Sequence, residues 1–353
     1  MPISRRRFLT IAVAAGAVAG ASAFGLNRAL TTSNSISGDD WQAVSPQSLG
    51  WQKDRLDELF SYAVEHNSTG LIILQKGKIV AERYWQRWSP HTTADVASVQ
   101  KSLTSILIGI AQKDGLLKIG DTVSSYLGEG WSSAPAEAES KITLRHLSTM
   151  TSGLDDSLAY ETDAGQVWYY NNTAYHLLHN VIEKASGELL NEYARAKVWD
   201  LIGDQDSEWR TRRLNGRMGW KASVRDMARF GLLVVNNGDW NGREVVADKA
   251  YLNDALSSSQ ALNPSYGYLW WLNGKASFVL PGKQRYGNGS LVPAAPDDMV
   301  CALGAGDKKI YVAKSMDLVV ARHGGPSGLA LGEGSSSFDN LLWQKIMAAA
   351  PKS

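Results

Sequence analysis

Ser98-Val99-Gln100-Lys101-Ser102-Leu103-Thr104-Ser105-Ile106-Leu107-Ile108-Gly109-Ile110-Ala111 is the stretch on which the reading of this chain turns. It holds the one place in the sequence where a lysine follows a serine by three positions. Leu103, Ile106, Leu107, Ile108 and Ile110 are apolar enough to predict a buried helix that runs on to Asp114 and stops at Gly115, a good helix-ending residue. On a helix, positions i and i+3 share a face. The Ser98 hydroxyl and the Lys101 amine are therefore expected side by side at the helix N-terminus. There the macrodipole favours developing negative charge, and free backbone N–H groups can hold an oxyanion. A serine hydroxyl is a weak nucleophile until a base takes its proton. A lysine kept from water loses preference for its charged form and can be that base. Such a spacing arises by chance about once in a chain of this length, so its weight comes from its surroundings.

Upstream, Leu56, Leu59, Phe60, Ala63 and Val64 recur at helical spacing from Gln52 onward. Gly70 to Gln75 reads as a strand, Lys76-Gly77-Lys78 as a turn and Ile79 to Trp85 as its partner strand. Ser89 to Ala97 is a polar connection into Ser98. Residues from about 100 to 260 read as mainly helical. Ile142 to Leu147 leads into Met150 to Leu154, a short helix ending at a glycine. Thr173 to Lys184 closes at Gly187, and Ser223 to Val235 carries Ser223 as N-cap and Asp226 at N3. Tyr268–Leu272, Met299–Leu303, Lys309–Ala313 and Leu318–Arg322 read as strands, and Phe338 to Ala349 as a closing helix. The order implies an α+β fold: an antiparallel sheet flanked by terminal helices, with an all-helical second lobe. The sheet lobe takes about 51–97 and 262–353, and the helical lobe about 98–261. A site is expected where the lobes meet.

With 44% hydrophobic and 20% charged residues and a net charge of +1, the 353-residue chain has an ordinary globular composition. The balanced charge gives no reason to expect nucleic acid as a partner. The lone Cys301 excludes an internal disulfide and a cysteine-based metal site. His176 and His179 share a helix face without an H-E-x-x-H pattern, and read as structural. Ser4-Arg5-Arg6-Arg7-Phe8-Leu9, the apolar run Ile11 to Phe24 and the small residues Ala21-Ser22-Ala23 fit a twin-arginine signal over 1–30. Residues 31–50 read as a linker and 51–353 as the working domain. The expected location is periplasmic or extracellular. Membrane contact is expected only through the signal segment, if it stays uncleaved.

Tyr169-Tyr170-Asn171-Asn172 stands about 70 residues beyond Ser98 and just before a helix. A tyrosine can shuttle a proton and an asparagine amide can orient a carbonyl or a lysine. Together with Ser98 to Gly115, Ile142 to Leu154, Tyr170 to Gly187, Asp226 to Gly231 and Tyr266 to Trp271, the pattern resembles the serine β-lactamase and penicillin-binding-protein superfamily. The likeness is to its class C-like branch, nearest in look to esterases and 6-aminohexanoate-oligomer hydrolases. It spans about residues 50 to 345. It implies Ser98 as the acylated nucleophile, Lys101 as its motif lysine, and Tyr170 and Asn172 as the Tyr-x-Asn. Tyr169 and Asn171 satisfy the same spacing; Tyr170 is preferred because Thr-Ala-Tyr-His-Leu-Leu follows in the family's register. Whether Lys101 or Tyr170 is the acylation base stays open, and the two are expected to act as one coupled unit.

The family's third motif, Lys-Thr-Gly on a strand, is missing. Leu303-Gly304-Ala305-Gly306-Asp307-Lys308-Lys309 occupies its place, and backbone N–H groups at Leu303 or Gly304 are expected to complete an oxyanion hole with that of Ser98. Cys301, Ala302 and Leu303 cannot bind a carboxylate, so neutral esters and linear amides are expected to outrun β-lactams, unless Lys308 or Lys309 supplies a cation. His323 is expected to lie past the site. The resemblance implies an exported serine hydrolase acting on a small-molecule or peptide-like amide or ester, with no metal and no cofactor. A β-lactamase or D-amino-acid peptidase is the alternative, and a catalytically silent peptidoglycan-binding module a further one.

Overall fold

The computed structural model describes residues 41–212, 216–282, 285–332 and 335–352. The expected signal, 1–30, and most of the expected linker lie outside them. Among the described residues no helix is long and apolar enough to cross a membrane.

Helix α1 (Lys53–Glu65) leads into strands β1 (Ser68–Gln75) and β2 (Lys78–Tyr84). The chain then forms the short β3 (Ala94–Asp95), a 3-10 turn over Ala97–Val99, and α2 (Gln100–Lys113). After several short helices come α3 (Asn172–Ser186), the hairpin strands β4 (Glu208–Thr211) and β5 (Met218–Ala222), and α4 (Val224–Val235). The last part supplies β6 (Trp271–Leu272), β7 (Met299–Gly304), β8 (Lys308–Ala313), β9 (Leu318–Gly324) and α5 (Ser337–Ala349). The main sheet is antiparallel, with order β2-β1-β9-β8-β7-β6.

Both faces of this sheet are covered, which is why its strands read as continuous apolar runs rather than alternating ones. Helix α4 covers one face: Gly231 lies so close to Val319 and Ile310 that a Cβ there would meet Val319 at 2.5 Å. The terminal helices α1 and α5 pack together, and α5 meets the other face, where Lys309 and Tyr311 both bond Asp339. Helix α4 starts as its sequence dictates, with a reciprocal Ser223–Asp226 capping box. Helix α3 starts at an Asn171 cap and stops at left-handed Gly187. Leu103, Ile106, Leu107 and Ile108 are fully buried, so α2 is sheathed on all sides.

The middle of the chain is mainly helical, with two additions among the described residues: β3, β5 and β4 form a three-stranded sheet beside the 3-10 turn, and Asp239–Trp240 pairs with Arg243–Glu244 in a small hairpin. Two-residue β3 is too short for a periodic signal, and β5 carries Gly219 and Trp220 where alternation is weak. The helix near Met150 is shorter than its pattern suggests. It spans Leu144–Ser148, and the chain leaves it through Met150 in the left-handed region (φ 60°). Of the expected strand Tyr268–Leu272 only Trp271 and Leu272 pair, because Leu269 also has a positive φ (62°). Ten of the thirteen tryptophans are buried, so their number reflects the core rather than an aromatic cleft.

Candidate active site

Ser98 does not sit inside α2 but in the 3-10 turn that feeds it. Ala97, immediately before it, is held at φ 53°, a conformation that costs a non-glycine residue about 1–3 kcal/mol. Two contacts hold the turn there. The Ala97 N–H donates to Asp95 Oδ1 at 2.7 Å. Gly304, at the end of β7, presses against it from the sheet; a Cβ on Gly304 would lie 2.5 Å from the Val96 carbonyl oxygen and 3.3 Å from the Ala97 Cβ. A side chain at position 304 would displace the turn.

Lys101, one helical turn on, is almost wholly buried. Its ammonium donates to Ser98 Oγ at 3.2 Å and to Asn172 Oδ1 at 2.8 Å. It also lies over the ring faces of Tyr170 and Tyr175, at 4.7 and 4.4 Å from their centroids. Tyr170 stacks on Trp271 with centroids 6.2 Å apart. The four residues Ser98, Lys101, Tyr170 and Asn172 are thus brought together. The neighbouring Tyr169-Asn171 pair is not. Tyr169 donates to Asp156 at 2.8 Å on the exposed side, while Asn171 caps α3 and donates to the Leu154 and Asp155 carbonyls.

Ser98 and Lys101 open into a cavity of about 330 Å³, also lined by Asp95, Ala97, Gln100, Asn172, His176, Arg212 and Arg217. Leu303 and Gly304 are not among its described lining residues; Leu303 is buried and Gly304 lies behind the turn. Arg212 forks onto Asp95 through Nε–Oδ2 at 2.6 Å and Nη2–Oδ1 at 3.0 Å, and reaches Gln100 Oε1 at 3.2 Å. Arg217 donates to Thr173 Oγ1 at 2.9 Å. His176 sits one turn beyond Asn172 on α3. Burial, then the charges of His179, Lys101, Arg217 and Arg212, push its imidazole down to about 2, so it is neutral at working pH.

Of the residues considered as spare cations, Lys309 is ruled out: it is fully buried, bonded to Asp307 at 3.2 Å and Asp339 at 3.0 Å on the far face of the sheet. Lys308 points the other way; burial lowers its ammonium and the Asp95 carboxylate partly restores it. His323 is buried with Nε2 3.0 Å from the Ala222 carbonyl oxygen. His179 is buried against Tyr175 and Thr104, at 2.8 and 3.1 Å. No cluster of three or more metal-type ligands occurs among the described residues. His176, read from the sequence as structural, lies in the cavity wall; Asp95, Arg212 and Arg217 carry no sequence signal, since only tertiary packing gathers them.

A family model described as Beta-lactamase matches residues 56–313. The chain belongs to the β-lactamase family. Members of that family are in general hydrolases. An uncharacterised protein of Alkalihalophilus pseudofirmus is 25% identical over 249 residues, 60% of this chain and 73% of that one. Among solved structures, a protein from Bacteroides dorei assigned as a β-lactamase superposes with a TM-score of 0.68 at 16% identity, over 85% of this chain and 99% of that one. A protein from Bacillus anthracis assigned as a 6-aminohexanoate-dimer hydrolase does so with a TM-score of 0.65 at 17% identity, over 88% of each chain. These superpositions place this β-lactamase-family chain in a shared fold.

Proposed function

We propose that this β-lactamase-family protein is an exported serine hydrolase that cleaves an amide or ester through an acyl-enzyme on Ser98. The observation that carries the reading is Lys101. Its nitrogen lies within hydrogen-bond reach of Ser98 Oγ and is oriented by Asn172, at the mouth of a solvent-open cavity. A nucleophile, a base and a group that orients the base form the minimum set for acyl transfer. In the first step Ser98 Oγ attacks the carbonyl carbon while its proton passes to the Lys101–Tyr170 unit. The backbone N–H of Ser98 stabilises the tetrahedral oxyanion. The same unit returns the proton to the departing amine or alcohol. Water then attacks the acyl-enzyme, releasing the acid and restoring the Ser98 hydroxyl. The twin-arginine pattern of Ser4 to Leu9 supports export. The amide reading draws support from the shared fold with the protein assigned as a 6-aminohexanoate-dimer hydrolase.

Intact-mass spectrometry after treatment with a fluorophosphonate and, separately, with a chromogenic ester tests this. A single stable adduct on Ser98 with the first and a transient one with the second are expected. A long-lived acyl adduct would instead favour the D-amino-acid peptidase reading, and no adduct at all the silent binding module. Ser98→Ala should abolish turnover and leave the melting temperature unchanged. Retained turnover beyond trace level would move the nucleophile elsewhere.

A further inference from the structure

Behind Lys101 the helices α2 and α3 are joined by polar groups in a place where apolar packing would serve stability as well. Thr104 lies one turn beyond Lys101 on α2, and Tyr175 and His179 lie one and two turns beyond Asn172 on α3. The Tyr175 hydroxyl is 2.9 Å from Thr104 Oγ1 and 2.8 Å from His179 Nε2, and Thr104 Oγ1 is 3.1 Å from the same imidazole nitrogen. All three side chains are buried. Burial, then the Lys101 charge, push the His179 imidazole down to about 3, so it is neutral and adds no second cation beside the ammonium. The triangle fixes the outer end of the Tyr175 ring, whose face lies under the Lys101 nitrogen at 4.4 Å from the centroid. Burial holds the Tyr175 phenol well above its usual range, and its hydroxyl is committed to the triangle. What Tyr175 offers the site is therefore its ring, not its proton.

We propose that Tyr175, locked by Thr104 and His179, is a positioning residue for Ser98: its ring face holds the Lys101 amine against the serine and sets the pH at which that amine is free to take the serine proton. This rests on the Ser98 hydrolase reading and adds to it a residue outside the cavity lining. A lysine nitrogen rides on a flexible four-carbon stem, so it stays 3.2 Å from Ser98 Oγ only where walls confine it. An aromatic face attracts the ammonium and not the neutral amine. The ring therefore favours the charged form, and its loss lets the amine shed its proton at lower pH. The other titratable and charged groups that face Lys101 are Tyr170 before α3, His176 and His179 on α3, and, around the cavity, Asp95, Arg212 and Arg217. A substitution at position 175 leaves each of them in place.

The test follows, across pH, the second-order rate at which a fluorophosphonate labels Ser98, read by intact-mass spectrometry. In the wild-type protein that rate should climb through an acid limb belonging to the coupled Lys101–Tyr170 unit. Tyr175→Leu should move the limb about one pH unit lower and reduce the plateau rate by about 10–100-fold. Tyr175→Phe keeps the ring and gives up the lock. Its limb should coincide with that of the wild type, and its plateau should lie between the other two. A residue that merely fills the core would lower the melting temperature in both variants and move neither limb nor plateau. That result overturns the proposal, as does a limb that moves upward in Tyr175→Leu or shifts equally in Tyr175→Phe. If Tyr175→Leu does not fold, Thr104→Val decides: it keeps the ring and the packing volume but cuts one side of the lock. Its plateau should drop with the limb in place, and an unchanged plateau overturns the proposal. All of these failures leave the hydrolase reading standing. A wild-type protein that takes no fluorophosphonate removes that reading and this inference with it.

Discussion

At the scale of single residues, Lys101 is confined on four sides: Ser98 Oγ, Asn172 Oδ1 and the ring faces of Tyr170 and Tyr175. Two aromatic faces favour a cation, whereas accepting the Ser98 proton needs the neutral amine. On the proposed mechanism the tyrosine environment and the lysine charge are thus linked, and the two residues act as one unit. Lys101→Ala and Tyr170→Phe should each lower kcat by about 10²–10⁴-fold. The double variant should fall far short of the product of the two losses. Strict multiplicativity in steady-state kinetics would assign them to separate steps. The Ser98–Lys101 pairing was readable in the sequence because it depends on local spacing alone. The role of Asn171 as a helix cap was harder to separate from that of Asn172, since both precede one helix and only the fold shows which amide meets the lysine. Arg212 and Arg217 gave no signal. Arg212 meets Asp95 across 117 positions of sequence, through packing that no local pattern encodes.

At the scale of elements, α4 carries a feature its capping box conceals. Asp226, at N3, is buried beside the equally buried Asp204, whose carboxyl is raised well above its usual range by burial and then by the Asp226 charge. Asp204 therefore keeps a proton and donates it toward Asp226, which also accepts from Ser223 Oγ at 2.7 Å. A folded-state pKa raised above the unfolded value means that the folded protein binds the extra proton. Stability is then greatest in acid and is lost as pH rises from about 4 through the raised value. Asp204→Asn supplies an N–H donor without the titration. Its thermal melts should vary less between acidic and mildly alkaline pH than those of the wild type, and match or exceed them at the alkaline end. An equal destabilisation at both ends would show the pair to be ordinary polar packing. The capping box itself was plain in the sequence, as was nearly every long helix, because caps and apolar periodicity are local. The short strands β3 and β6 were not, since two paired residues have no period of their own.

At the scale of the whole molecule, the sheet and the C-terminal helix are joined by buried charges. Lys309, Asp307, Asp339, Tyr311 and Arg322 form one network, with Arg322 Nε donating to Ser68 Oγ at 2.7 Å and Ser327 N–H to Asp307 Oδ2 at 2.9 Å. Removing one member leaves its partner charged and buried. Lys309→Met alone should cost about 3–5 kcal/mol, while Lys309→Met with Asp339→Leu should recover a large part of it. Chemical denaturation of the three proteins measures the difference. A double variant no better than the single would show that Tyr311 and Arg322 depend on Asp339 as much as Lys309 does.

The position of β1 in the sheet has a consequence in time. Its neighbours are β2, which follows at once, and β9, whose Arg322 bonds Ser68 across 254 positions of chain. As the polypeptide emerges during synthesis, the β1–β2 hairpin exposes an apolar strand edge, and nearly the whole remaining chain must appear before that edge is covered. Such distant pairing slows folding and leaves an aggregation-prone intermediate waiting. The turn that carries Ser98 is pressed into its strained shape by Gly304, itself on a late strand. Ser98, the proposed nucleophile, therefore reaches its folded position only once that late strand has joined the sheet.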